Sequence, residues 1–318
     1  MNRQSVPCAI AIVLLAVNQL LPPSAVAATL AGHPVQGGAT LDFQFPINKF
    51  FQDYAAQGGN PRPTTGRALL MFPKNFDPAR SWPILIVTST SDLDRTSIMD
   101  APWYRESARA EGWVVLATDA TIRPREDSLA WRLSLLTAGL EVVRDNWPQS
   151  AQWPVGFAGF SGGAKRSGIL GAMLAKENKI KICGFFLAGI NSDRLSAAYQ
   201  DYHPPTDFLN GPIWISSGMQ DQIAPPGAQE SVYYSLKRTG FKYVRLEKFF
   251  GGHALRSGRF NALSTGFARL ENSSPLLLNS VLAFDELSNQ LSAFHLQLCI
   301  LCALELFSRR FPFRCCRS

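Results

Sequence analysis

Ser161 stands in the pentapeptide Gly159-Phe160-Ser161-Gly162-Gly163, a G-x-S-x-G pattern. Such a pattern suits a nucleophile carried on a turn too tight for flanking side chains. The glycines let the backbone close up, and the serine oxygen stands clear at the tip. A hydroxyl is a weak nucleophile at its own pKa, so it needs a neighbouring base, and the base needs a group that fixes its tautomer. On strand–turn–helix scaffolds these partners follow in the order serine, acid, histidine. Of the four histidines, His33, His203, His253 and His295, only His253 follows a late apolar strand pattern. It ends Phe249-Phe250-Gly251-Gly252-His253, whose paired glycines allow a loop that folds back over the sheet; His203, in a Tyr-His-Pro-Pro loop, is the alternative base. Asp221, in Gly218-Met219-Gln220-Asp221, occupies the acid's place, with Asp193 and Asp207 as alternatives. A developing oxyanion needs backbone donors. The Gly162 N–H, at the head of a predicted helix, is one. The second is expected from Thr88-Ser89-Thr90-Ser91-Asp92, at the N–H of Thr90 or of Ser91. Trp103, Arg123 and Arg125 are candidates for the pocket border, whereas Lys165 and Arg166 read as the solvated face of the helix after the turn.

The surrounding pattern supplies elements able to hold these residues. Pro83 to Val87 and Trp113 to Ala117 are short apolar runs of the kind buried on both faces of a parallel sheet, and Pro154 to Phe160, Ile182 to Ala188, Pro212 to Ser216 and Tyr243 to Phe249 read as further strands. Ala68 to Phe72 is a further short run. Between them lie helical stretches near Ser97 to Ala110, Gly162 to Lys176 and Gln229 to Arg238, and Leu129, Leu133, Leu136, Leu140 and Val143 mark one apolar helix face. Repeated β-α order implies an α/β fold, a mostly parallel sheet with helices on both faces, whose ligands bind beyond the carboxyl ends of the strands. Ser161, Asp221, His253 and the Thr88–Asp92 loop all fall just after such strands.

Composition narrows the class. Of 318 residues, 46% are hydrophobic and 17% charged, which excludes a disordered chain, a collagen-like chain and a coiled coil. The net charge of +7 is not gathered into basic runs, and no nucleic-acid-binding signature accompanies it, so no nucleic-acid partner is expected. Arg3, the apolar stretch Val6 to Leu21 and the small residues Ala25-Val26-Ala27 read as an export signal cleaved after Ala27, leaving a secreted or periplasmic chain with no stable membrane span. Residues 28–66 read as a Gly- and Pro-rich N-terminal extension with one outer strand, 67–270 as the catalytic domain, and 271–318 as a tail of different composition. Between Asn272 and Ser308 there are 11 Leu and no Lys or Arg. Five cysteines follow the signal, an odd number that argues against a complete disulfide framework. Cys299 and Cys302 have CxxC spacing but no second cysteine or histidine pair, so no metal site is expected there.

On Gly159-Phe160-Ser161-Gly162-Gly163, Gly218-Met219-Gln220-Asp221 and Gly251-Gly252-His253, the chain resembles the α/β-hydrolase superfamily over about residues 67–270. It looks most like exported bacterial esterases of the dienelactone-hydrolase, feruloyl-esterase and polyhydroxybutyrate-depolymerase type. The resemblance implies a sheet of about eight strands, no metal or organic cofactor, and a small-molecule or polymer ester substrate. It also implies acyl transfer through a serine ester, with Ser161 as nucleophile, His253 as base, Asp221 as its orienter and Gly162 as an oxyanion donor. The chain departs from the lipase pattern, having Thr-Ser-Thr-Ser where lipases carry His-Gly-Gly after the first core strand. A serine peptidase of the same fold and a non-catalytic binding protein on a hydrolase scaffold are the alternative readings.

Overall fold

The computed structural model describes residues 28–90, 95–124, 126–176 and 180–255. The export signal, the Cys299–Cys302 pair and the 271–318 tail therefore lie outside the described residues. A small antiparallel hairpin, β1 (Ala28–Leu30) with β2 (His33–Val35), precedes the sheet. Then follow β3 (Thr40–Pro46), α1 (Lys49–Gln57), β4 (Thr65–Met71), β5 (Ile84–Thr88), α2 (Ser97–Asp100), α3 (Arg105–Ala110), β6 (Val114–Ala120), α4 (Leu129–Asn146), β7 (Val155–Phe160) and α5 (Gly162–Lys176). The chain continues through β8 (Ile182–Ala188), α6 (Arg194–Tyr202), β9 (Ile213–Gly218), α7 (Pro226–Thr239) and β10 (Val244–Phe249).

Eight strands form one sheet in the order β10-β9-β8-β7-β5-β6-β4-β3. The six strands from β10 to β6 run parallel, β4 pairs antiparallel with β6, and β3 pairs antiparallel with β4. The stretch 28–66 supplies the outermost strand, β3, and helix α1. The inner strands are largely apolar because both faces are covered, and their few buried polar residues, Thr88, Asp119, Ser216 and Ser217, fall toward the strand ends. Ile84 and Ile86 of β5 join the larger core cluster with residues of α4, α5, α6 and α7. Leu85 and Val87 face the other way, with Ala101, Tyr104 and Ala108 of the α2–α3 segment. Pro102 divides that segment into a short α-helix, a 3₁₀ turn and a second short helix, so the single helical stretch read from the sequence is broken there. Helices α1 and α6 have nine residues each, so the stripe each buries, Phe51 and Ala55 in one and Leu195 and Ala198 in the other, is too short to stand out in the sequence. Asn48 and Asp193 cap them, each side chain accepting from a backbone N–H three residues on (3.0 and 2.9 Å).

The register decides where the chemistry sits. Thr88 pairs with Gly159, Phe160 with Ala188, Ala188 with Ser216, and Gly218 with Phe249. The residues that follow these strand ends therefore emerge side by side at one edge of the sheet.

Candidate active site

The turn between β7 and α5 is a single residue, Ser161, with φ of +56°. A non-glycine residue in this left-handed region stores about 1–3 kcal/mol of strain and persists only where its surroundings enforce it. Here the enforcement is steric. A Cβ on Gly159 would lie 2.3 Å from the Gly163 carbonyl carbon, one on Gly163 would lie 2.2 Å from the Thr88 oxygen, and one on Gly162 would lie 2.5 Å from Thr90 Oγ1. All three glycines of the pentapeptide are thus spent on close approach. The Ser161 N–H donates to the Ala188 carbonyl (2.8 Å), tying the turn to the neighbouring strand.

Beyond β9 and β10 the two chain paths keep pairing. Met219 N–H donates to Phe249 O and Gln220 N–H to Gly251 O, both at 2.8 Å, so the aspartate loop and the histidine loop leave the sheet together. Gly218 admits this crossing, since a Cβ there would meet the Gly252 oxygen at 2.3 Å. The Asp221 side chain is 1% exposed. Its Oδ1 accepts from the backbone N–H groups of Ile223 (2.9 Å) and Ala224 (2.7 Å), and its Oδ2 lies 2.8 Å from His253 Nδ1. A carboxylate that only accepts fixes the proton on Nδ1 and leaves Nε2 as the basic nitrogen. The imidazole rests against Phe160, with ring centroids 4.5 Å apart. It also rests on Gly189, whose added Cβ would sit 3.0 Å from His253 Cε1.

Ser161, His253 and Thr90 line one cavity of about 680 Å³, together with Arg95, Asp100, Trp103, Phe160, Ile223, Ala254 and Leu255. Part of its lining is aromatic and charged. The Arg95 guanidinium lies 4.1 Å over the Trp103 ring and pairs with Asp100 at 2.7 Å. Burial pushes the Asp100 carboxyl above its ordinary range, and Arg95 pulls it back only in part. Behind Thr90 is a second charged group. Asp127 pairs with Arg132 of α4 (2.7 Å) and with Arg166 of α5, and Arg132 also reaches the carbonyls of Ser89 (3.2 Å) and Thr90 (2.8 Å). Burial favours the neutral Asp127 carboxyl, but the two guanidiniums outweigh it and hold that carboxyl below the usual range.

The structure thus gathers Ser161, His253 and Thr90 on one cavity, with Gly162 beside Thr90 and Asp221 behind His253. The alternative residues stand elsewhere. Asp193 is the N-cap of α6, His203 is its left-handed C-cap (φ +50°), and Asp207 lies in the 3₁₀ turn that leads into β9. Trp103 borders the cavity. Arg123 lies one layer back, paired with Asp119 and donating to the Arg95 carbonyl, and Arg125 is outside the described residues. Arg166 corrects the sequence reading: it is largely buried in its pair with Asp127 rather than solvated. Arg132 and Asp127 were missed. The available signal was a charged residue at position 132, one helical turn before Leu136 and so on the apolar face of α4.

No protein-family model matches the chain, and no curated protein matches it by sequence. Solved structures do. An esterase from Pyrobaculum calidifontis aligns at 15% identity and TM-score 0.50, covering 74% of this chain and 85% of that one. A bacterial heroin esterase aligns at 17% identity and TM-score 0.50, covering 73% and 84%. Pyrococcus horikoshii acylaminoacyl peptidase aligns at 12% identity and TM-score 0.50, covering 74% of this chain but only 42% of that one. Likeness at such low identity speaks to the fold, and the fold is that of the α/β-hydrolases.

Proposed function

We propose that this chain, an α/β-hydrolase by fold, is an exported serine hydrolase that cleaves carboxylic esters through an acyl-serine intermediate. One observation carries the reading: a serine strained onto a one-residue turn shares a cavity with a histidine whose Nδ1 is held by a buried carboxylate. Three groups so placed supply a nucleophile, a base and the base's orienter.

His253 Nε2 removes the Ser161 proton as Oγ attacks the acyl carbon. The carbonyl oxygen gathers charge against the Gly162 and Thr90 N–H groups. The imidazolium, stabilised by Asp221, then gives its proton to the leaving alcohol. Water enters, His253 takes its proton, and the acyl-serine bond breaks to return Ser161 and a carboxylic acid. The residues need no metal or organic cofactor for these steps, and either a small or a polymeric ester can present the acyl group.

The test is a fluorescent fluorophosphonate applied to the purified mature protein beside Ser161→Ala. Labelling of the wild type that vanishes in the variant supports an activated serine. A folded wild type that stays unlabelled overturns the reading and leaves a binding protein on a hydrolase scaffold. Turnover on a panel of carboxylic esters, against none on matched peptides, supports esterase over peptidase. Export is tested by amino-terminal sequencing of the secreted protein, with Ala28 the expected first residue.

A further inference from the structure

The two oxyanion donors belong to different elements. Gly162 heads α5, whereas Thr90 lies in the loop after β5. A donor pair works only if its spacing is fixed before the reaction starts, and Thr90 lies beyond Thr88, where the strand pairing of β5 ends.

Arg132 supplies what the loop lacks. It is 7% exposed and directs nearly its whole donor set to one purpose. Its Nε donates to Asp127 Oδ2 (2.9 Å), and Nη2 to the Thr90 carbonyl (2.8 Å). Its Nη1 reaches the Ser89 carbonyl (3.2 Å), the Ser89 hydroxyl (2.9 Å) and the Ser97 hydroxyl (3.3 Å). The Ser89 carbonyl and the Thr90 N–H belong to the same peptide unit. In a planar trans peptide they point in opposite directions. Holding the carbonyl toward Arg132 therefore turns the Thr90 N–H away from Arg132, and Thr90 itself lines the Ser161 cavity. The other end of the same network reaches the second donor, because Asp127 also binds Arg166, one turn into α5 from Gly162.

We propose that Arg132, anchored by Asp127 and through it to Arg166, is a positioning residue that sets the Thr90 N–H against the Gly162 N–H across the oxyanion site. This rests on the serine-hydrolase reading above. Arg132 is not among the residues that line the Ser161 cavity. Removing it should weaken stabilisation of the transition state and leave ground-state binding nearly unchanged. A planar fork that grips two carbonyls and a carboxylate is not replaced by an ammonium.

The test uses the mature chain as wild type, Arg132→Met, Arg132→Lys and Asp127→Asn, with Ser161→Ala as the blank. Ester turnover is measured along with affinity for a trifluoromethyl ketone, which forms the oxyanion adduct, and circular dichroism checks folding. In Arg132→Met, kcat should fall about 100-fold, comparable to loss of one oxyanion donor, with KM within about threefold. Ketone affinity should fall by the same factor as kcat. Arg132→Lys should lie between, and added guanidinium salt at non-denaturing concentration should restore part of the Arg132→Met rate. Folded variants with wild-type kcat, or a loss confined to KM, overturn the proposal. Should Arg132→Met fail to fold, Asp127→Asn decides: a loss of about tenfold in kcat that ketone affinity follows supports the clamp, and an unchanged rate overturns it. An unlabelled wild type, by contrast, overturns the hydrolase reading itself, whereas a labelled wild type beside unaffected variants overturns the clamp alone.

Discussion

The two walls of the site are held by different physics. On the serine and histidine side, backbone runs against backbone. Gly159, Gly163 and Gly218 leave no room for a Cβ, the strand pairing continues past β9 and β10, and Ser161 has no freedom to relax. On the Thr90 side a buried guanidinium with its carboxylate adds a second kind of hold, gripping the Ser89 and Thr90 carbonyls. Steric enforcement is insensitive to pH and salt. Enforcement by buried charge is strong only while the pair stays whole, because a lone buried ion is costly. The first wall is therefore built to be fixed, and the second is the one that substitutions and acid can loosen.

The sharpest way to break the first wall chemically, leaving its shape, is Asp221→Asn. The amide cannot hold the proton on Nδ1 as the carboxylate does, so His253 takes the wrong tautomer. The kcat for ester hydrolysis should fall by about 10⁴-fold while circular dichroism stays unchanged. A loss below about tenfold would mean that Asp221 orients the ring without being needed for the chemistry.

The second wall has a backbone test. If the Thr90 N–H is the donor, Thr90→Pro should lower kcat by about 10²–10³-fold, whereas Thr90→Ala, which keeps the N–H, should stay within about tenfold of wild type. Equal losses in the two variants would place the contribution in the Thr90 side chain, which packs over Gly162.

The same contrast explains how much was legible in the sequence. Glycine spacing and strand composition are local signals, and with chain order they pointed to Ser161, Asp221, His253 and Gly162, to Thr90 or Ser91, and to the strands before them; Ser91 lies outside the described residues. The inner strands read clearly because burial on both faces leaves few polar positions, gathered toward the strand ends. Helices α1 and α6 did not, because each has only nine residues and buries only two or three of them. The charged clamp was illegible for a different reason. Arg132 lies 42 residues from Thr90 and 43 from Ser89, so only the folded chain brings them together. On sequence alone Arg166 resembles any helix arginine, and its burial follows from Asp127 arriving beside it.

A steric break in the first wall should cost stability as well as rate. The Gly163→Ala methyl would meet a backbone oxygen, Thr88 O, at 2.2 Å, and no side-chain movement relieves that. Chemical denaturation should show a loss of about 1–3 kcal/mol, the ordinary range for overpacking a well-packed site. A variant as stable as wild type would show that the elbow shifts more freely than its glycines suggest.

The smallest effect is the pH response of the clamp, and its sign follows from Asp127. Its carboxyl is held below the ordinary range in the folded protein, so the pair contributes fully above the unfolded value, about pH 4. That contribution is lost as pH falls through the lower folded value. Asp100 and Asp119 act in the opposite direction. Burial raises both, so the folded chain gains relative stability as they protonate. Wild-type stability alone would mix the two responses. Asp127→Asn separates them, because the variant keeps Asp100 and Asp119 and loses only the depressed group. Measured by denaturation between pH 3 and pH 7, wild type should be the more stable at neutrality. Its advantage should hold down to about pH 4 and then shrink. A constant gap across the whole range would mean that Asp127 contributes through hydrogen-bonded shape, with its charge of no account. The two walls would then be more alike than their residues suggest.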